Sequence, residues 1–154
     1  MSSKSISLDY VNNLMFEMEK AFYDERGKGA RFRMTTVGRE FYQEKIRPAI
    51  ETAEIEHIVK VVEEALKEAG IASKVDFLSE ERLLRVSVKG CIHRRVEEKM
   101  LERGVEPFTC IPANLVAMAV EEKLNRPVEL AEVKLEDGAC SILLVLFDKH
   151  PEIG

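Results

Sequence analysis

The feature that most constrains the fold is a change in the spacing of apolar residues after Gly70. Before this glycine, apolar residues across 50–69 recur about every 3.6 positions, which is typical of an amphipathic helix. After it, Leu84, Val86 and Val88 alternate with polar residues, the pattern of a strand with one face in water. The chain is therefore predicted to contain both helices and sheet, in separate segments.

The order of these segments predicts the fold class. Helical patterns cover 8–24, 36–69, 94–103 and 113–124, and strand patterns cover 73–78, 84–88, 128–135 and 141–147. The pair Asp137-Gly138 is a strong signal for a two-residue hairpin turn. We therefore expect an α+β fold with N-terminal helices followed by two β-hairpins joined by a helical crossover, and an antiparallel-rich sheet covered by helices.

The last two strands carry more specific signals. The apolar phase slips near Ala131, which predicts a β-bulge. The run 141–147 is apolar without alternation, which predicts a strand in the centre of the sheet that is covered on both faces.

Length and charge limit the classes of function. The 154 residues suit one domain, 1–154, in which 1–35 is predicted to form an N-terminal helical arm. The net charge is -5 and there is no basic stripe with aromatic residues, so we expect no direct nucleic-acid partner. No apolar run approaches the ~20 residues that span a bilayer, and no signal sequence is recognised. We therefore expect no membrane span, a cytoplasmic location and reduced cysteines.

The three cysteines are all predicted at ends of elements, where a fold exposes reactive groups. Cys91 follows the second strand, Cys110 opens a helix, and Cys140 begins the last strand. With His93 they could form a Cys₃His zinc site, although the chain has no Cys-x-x-Cys pair. Buried cysteines acting as small apolar residues, a metal site and redox-responsive thiols all remain open. The helix dipole leads us to expect a lowered pKa for Cys110.

The sequence has few other signals for chemistry. It has no glycine-rich phosphate loop, no nucleophile elbow and no helical His-Glu-x-x-His, so no catalytic residue is assigned. Acidic pairs such as Glu97-Glu98 are predicted to lie on solvated faces. Apolar side chains could instead enclose a pocket for an apolar ligand, with an ordinary packed core as the alternative. The candidate pocket residues are Met15, Met18, Phe22, Phe41, Leu115 and Met118.

Several of these segments together resemble a known family. Cys110 at a helix start, the helix that follows, Pro127-Val128 and the run Asp137-Gly138-Ala139-Cys140 resemble the 4-vinyl reductase-like (hydrocarbon-binding) domain. That domain belongs to a ligand-binding superfamily shared with nitric-oxide-sensing haem proteins and Golgi-transport (TRAPP-type) subunits. The glycine-containing stretch 37–41 is similar to the family's early helix, and the order of elements matches over 37–147. The family commonly has a further cysteine on the third strand, where this chain has 133–135 (Val-Lys-Leu).

The resemblance implies a small-molecule-binding or sensor domain. Its core would be 36–147, with an apolar pocket for a small hydrophobic molecule or lipid, thiols that bind zinc or respond to redox state, and pairing into a homodimer through helices. Two other classes of function remain open. One is an enzyme with Cys110 as nucleophile and His93 as base. The other is a protein-interaction scaffold of the TRAPP type, without a ligand.

Overall fold

The computed structural model of the chain describes residues 5–30 and 34–148, and within them it has five helices and four strands. Helix α1 is Leu8–Arg26, α2 is Arg39–Phe41, α3 is Ile55–Glu68, α4 is Arg94–Glu102 and α5 is Ile111–Leu124. Strand β1 is Lys74–Glu80, β2 is Leu83–Lys89, β3 is Val128–Glu136 and β4 is Ala139–Leu146. The order of elements confirms the predicted α+β class.

The four strands form one antiparallel sheet in the order β1-β2-β4-β3. The two hairpins are β1-β2 and β3-β4, and they are joined through α4 and α5, as predicted. The register of β3 against β4 shifts between Leu130 and Glu132, which confirms the bulge at Ala131. Gly138 has a φ of 77°, which only glycine adopts readily, and it closes the predicted two-residue turn.

One face of the sheet carries the main hydrophobic core. Side chains of α3 and α5 pack there against alternate residues of the strands, such as Val86 and Ile142, which are completely buried. The other face is more open, because Leu78 and Leu83 are exposed on it and Leu143 and Val145 of β4 are only half-buried. Strand β4 is central as predicted, but the expectation that both of its faces are covered is wrong for its second half.

A second, smaller core holds α1 against α4. It contains Phe16 of α1, Val96 and Met100 of α4, and Phe108. Helix α1 therefore packs on α4 and contributes nothing to the main core. Of the predicted arm 1–35, residues 1–4 and 31–33 lie outside the described part of the chain.

The segment between α1 and α3 departs from its predicted helical pattern. Helix α2 continues as a π-helix, Tyr42–Ile46, and a 3₁₀ turn, Arg47–Ala49, before the backbone becomes extended at Ile50. Helix α3 begins only at Ile55, five residues later than its apolar pattern predicts. Pro48 lies within the 3₁₀ turn, and since it lacks a backbone N–H it cannot continue a regular helix through this point.

Candidate functional site

The fold brings the three cysteines into one neighbourhood. Cys91 follows β2, Cys110 is the residue that caps α5, and Cys140 lies near the start of β4 opposite Val88 of β2. All three are free thiols, and their predicted location at ends of elements is confirmed. They lie close enough that a negative charge on Cys91 or Cys140 would raise the pKa of Cys110.

Glu97 of α4 points into this neighbourhood. Its side chain is almost completely buried, and its Oε2 accepts a hydrogen bond from the Cys140 Sγ at 3.5 Å. The prediction that the pair Glu97-Glu98 is solvated is therefore wrong for Glu97, whereas the side chain of Glu98 is partly exposed. We call the cysteines and this carboxylate together the thiol cluster, which consists of Cys91, Cys110, Cys140 and Glu97.

His93 connects the thiol cluster to α1. Its Nε2 lies 2.7 Å from Oε2 of Glu19 on α1, and its Nδ1 lies 3.2 Å from Oε1 of Glu97. Burial alone would lower the pKa of His93, but the hydrogen bonds to these two carboxylates outweigh it and raise the pKa to about 9. At neutral pH the ring is therefore an imidazolium, with both N–H groups donating.

This arrangement differs from the predicted zinc ligand set in one respect. His93 lies beside the cysteines as expected, but both of its ring nitrogens face carboxylates. Sequence reasoning missed Glu19 and Glu97 as members of the site. The one available signal was the spacing of His93 and Glu97, four residues apart on a helix, because such residues lie on the same face.

The thiols are protonated at neutral pH. Burial raises the pKa of Cys91 to about 11 and that of Cys140 to about 12, and it raises the pKa of Cys110 well above its ordinary value. The charge of Glu97 acts in the same direction on all three. The expectation that the helix dipole lowers the pKa of Cys110 is therefore wrong, because burial outweighs the dipole at this site.

Arg94 closes the site on the side of the β3-β4 turn. Its guanidinium donates hydrogen bonds to the carbonyl oxygens of Ala139 at 2.8 Å and Glu136 at 2.7 Å, and Nη1 lies 4.0 Å from the Cys140 Sγ. These contacts tie the start of α4 to the turn that delivers Cys140. The position of Cys140 relative to Glu97 is thus fixed from two elements.

The chemistry of the site follows from its protonation state. Neutral, buried thiols are poor nucleophiles and react slowly with oxidants, because the thiolate is the reactive form. They are good ligands for a thiophilic cation that displaces their protons, and the buried carboxylate of Glu97 supplies a negative charge beside them. Over residues 5–30 and 34–148, no three His, Cys, Asp or Glu side chains are already arranged around a position for a metal ion.

The six candidate pocket residues do not come together in the structure. Met15 and Phe22 pack against the small core beneath α1, whereas Met18 is 71% exposed on the same helix. Leu115 is completely buried in the main core. The other two, Phe41 and Met118, line two different open grooves.

These grooves lie on either side of the π-helix. The first, of about 360 Å³, contains Phe41 together with charged residues of α3. The second, of about 340 Å³, contains Met118 and a polar network in which Arg47 donates two hydrogen bonds to Glu122, at 2.9 and 2.5 Å. The hydroxyl of Tyr42 donates to the same carboxylate at 3.1 Å. Both grooves are therefore lined by charged and apolar groups together.

Comparisons with known proteins do not assign this chain to a family. No protein-family model matches the chain, and no curated protein is significantly similar to it in sequence. Among the helices of the described residues, none combines the length and apolar character required to cross a lipid bilayer.

Proposed function

We propose that the protein is a binding or sensor domain of the 4-vinyl reductase-like class in which the thiol cluster holds a divalent cation, with zinc as the first candidate. One observation carries this proposal. Three cysteines that are distant in sequence lie near one buried carboxylate, since the charge of Glu97 raises the pKa of each thiol and its Oε2 lies 3.5 Å from the Cys140 Sγ. Zinc prefers cysteine sulfur and also accepts carboxylate oxygen, so three thiolates and one carboxylate suit a four-coordinate site.

The other interpretations of the thiols explain less. Cysteines that are only small apolar core residues would not account for the hydrogen bond from the Cys140 Sγ to a buried carboxylate. A redox sensor requires a thiolate that is accessible to oxidant, whereas the pKa of each thiol is raised by burial. A cation that replaces the thiol protons would be coordinated by both the thiolates and the carboxylate.

The two alternative classes of function fit the site less well. An enzyme with Cys110 as nucleophile would need an exposed thiol and a base beside it. Cys110 is buried, and both ring nitrogens of His93 are already engaged by carboxylates. A ligand-free interaction scaffold gives no reason for the convergence of the cysteines with Glu97.

A bound zinc ion would supply a cross-link between four separate parts of the chain. Cys91 belongs to the segment after β2, Cys110 to the start of α5, Cys140 to the start of β4 and Glu97 to α4. Because the thiols are protonated before binding, about three protons leave for each ion bound at neutral pH. The affinity for zinc therefore increases with pH.

The cluster is tested by titrating the metal-free protein with cobalt(II), whose absorption reports thiolate ligation, followed by displacement with zinc. We expect one equivalent to bind with thiolate-to-cobalt absorption. Cys110→Ser should weaken binding strongly, and Glu97→Gln should weaken it by roughly 10-fold or more. Glu98→Gln is the matched control, because this neighbouring carboxylate is 42% exposed and lies outside the thiol cluster.

Two results would contradict metal binding by the thiol cluster. Binding without thiolate absorption, or equal affinity in Glu97→Gln and Glu98→Gln, would show that the metal does not lie in the thiol cluster. Circular dichroism of each variant establishes that it remains folded.

We also propose that the protein pairs into a homodimer through α1. Tyr10, Leu14 and Met18 are exposed on this helix at intervals of four residues, so they form one apolar stripe on the side away from α4. Pairing with a second copy would remove this stripe from water.

A further inference from the structure

We propose that Glu19 and His93 are positioning residues that hold Glu97 toward the metal and thereby couple metal binding to the docking of α1. This inference rests on the proposed metal site. It adds a role for α1, a helix that contributes no residue to the thiol cluster.

The two carboxylate oxygens of Glu97 have different partners. Oε1 accepts a hydrogen bond from His93 Nδ1, and Oε2 faces the Cys140 Sγ. The carboxylate can therefore bind a cation through Oε2 without losing its contact with the imidazolium. Hydrogen bonds of this kind, from a second residue to a metal-binding carboxylate, orient the ligand and raise metal affinity.

Helix α1 supplies Glu19, which is the last hydrogen-bond acceptor on the path from Cys140. Glu19 accepts from His93 Nε2 at 2.7 Å, and both side chains are buried. Charged hydrogen bonds are strong in such surroundings because water does not compete for them. A continuous path therefore runs from α1 through the imidazolium and Glu97 to Cys140.

The His93 ring bridges Glu19 of α1 and Oε1 of Glu97, so the docking of α1 fixes the orientation in which Oε2 of Glu97 faces the Cys140 Sγ. A metal ion held by Oε2 would in turn fix Glu97, and through His93 it would fix Glu19 on α1. Binding of the metal should therefore strengthen the attachment of α1, and by thermodynamic linkage the attachment of α1 should strengthen metal binding.

The test compares two changes on α1 that affect its docking differently. Glu19→Gln removes the charge that holds the imidazolium, whereas Asn13→Ala removes the exposed contact of Asn13 with Lys99 of α4 and leaves the hydrogen-bond path intact. We expect Glu19→Gln to lower zinc affinity by roughly 10-fold, measured by competition with a chelator. Asn13→Ala should bind zinc like the unaltered protein.

A second readout follows α1 directly by hydrogen exchange of its backbone amides. Zinc should slow exchange across α1 in the unaltered protein and in Asn13→Ala, but much less in Glu19→Gln. If Glu19→Gln does not fold, Glu19→Asp serves instead. It keeps the charge but shortens the side chain, so we expect a smaller loss of affinity.

The outcomes separate this inference from the proposed function. Zinc binding with thiolate ligation, together with unchanged affinity in Glu19→Gln or unchanged exchange in α1, would overturn the positioning role and leave the metal site standing. A failure of the unaltered protein to bind zinc would overturn both.

Discussion

Glu97 and His93 show how a protein of this size places charged groups in its interior. Two carboxylates and one imidazolium are buried together, so each charge has a hydrogen-bonded partner of opposite sign. Removing one partner would leave the others buried and uncompensated, which is far more costly than loss of an exposed ion pair. The free energy of unfolding should therefore depend on the protonation of His93.

The direction of this dependence follows from the pKa of His93. The pKa is about 9 in the folded protein and about 6.5 in an unfolded chain. The stabilisation is complete below pH 6.5 and is lost as the pH rises from 6.5 through 9, and its size is on the order of 3 kcal/mol. Urea unfolding of metal-free protein across this range should show the loss. An NMR titration of the ring with a midpoint below pH 7 would contradict it.

Single residues also show where prediction from sequence reaches its limit. The positions of the cysteines at ends of elements were predictable, because strand and helix patterns give those ends directly. The burial of Glu19 and Glu97 was not, because a glutamate in a helical pattern is usually solvated and only the packing of α1 on α4 shows otherwise. The same packing gives His93 its two carboxylate partners.

At the level of elements, turn chemistry and alternation predicted the sheet well. The Asp137-Gly138 turn and the slip at Ala131 specify the second hairpin and its bulge from local sequence alone. The region between α1 and α3 was not predictable in the same way. A π-helix, a 3₁₀ turn and an α-helix share similar apolar spacing, and contacts with the rest of the molecule decide among them.

The close approach of this region to α5 can be tested at Gly38. Its φ is 102°, and an added Cβ would lie 3.2 Å from Leu115 Cδ2 and 3.4 Å from Ile111 Cγ2. Gly104 has a φ of 77° but no neighbour within 4 Å of an added Cβ, so it serves as the control. Each change to alanine should cost about 1–2 kcal/mol in backbone strain, and Gly38→Ala should cost more because of the additional contacts.

Denaturant unfolding of the two variants measures this difference. A larger loss of stability in Gly38→Ala is the expected result. Equal losses in Gly38→Ala and Gly104→Ala would show that the segment does not pack against α5 as described.

The whole molecule is held together by two hydrophobic cores. The main core joins the sheet to α3 and α5, and the small core joins α1 to α4. The thiol cluster lies where these two parts meet, since Cys110 and Cys140 belong to the main core and Glu97 lies on α4. A metal ion at this position would link the two parts.

The proposed homodimer can be tested at Met18, which lies in the apolar stripe of α1. Met18 is the most exposed of the three residues in the α1 stripe, so Met18→Glu places a charge in the proposed interface. We expect sedimentation to show a dimer for the unaltered protein and for the conservative Met18→Leu, and a monomer for Met18→Glu. A monomer in all three would contradict pairing through α1.

The most direct measurement of the proposed metal site is X-ray absorption at the zinc edge of the loaded protein. We expect a four-coordinate ion with three sulfur ligands at about 2.3 Å and one oxygen ligand at about 2.0 Å. We also expect Glu97→Gln to change the oxygen contribution and to leave the sulfur shell in place. A shell of nitrogen and oxygen alone, or a protein that retains no zinc, would contradict it.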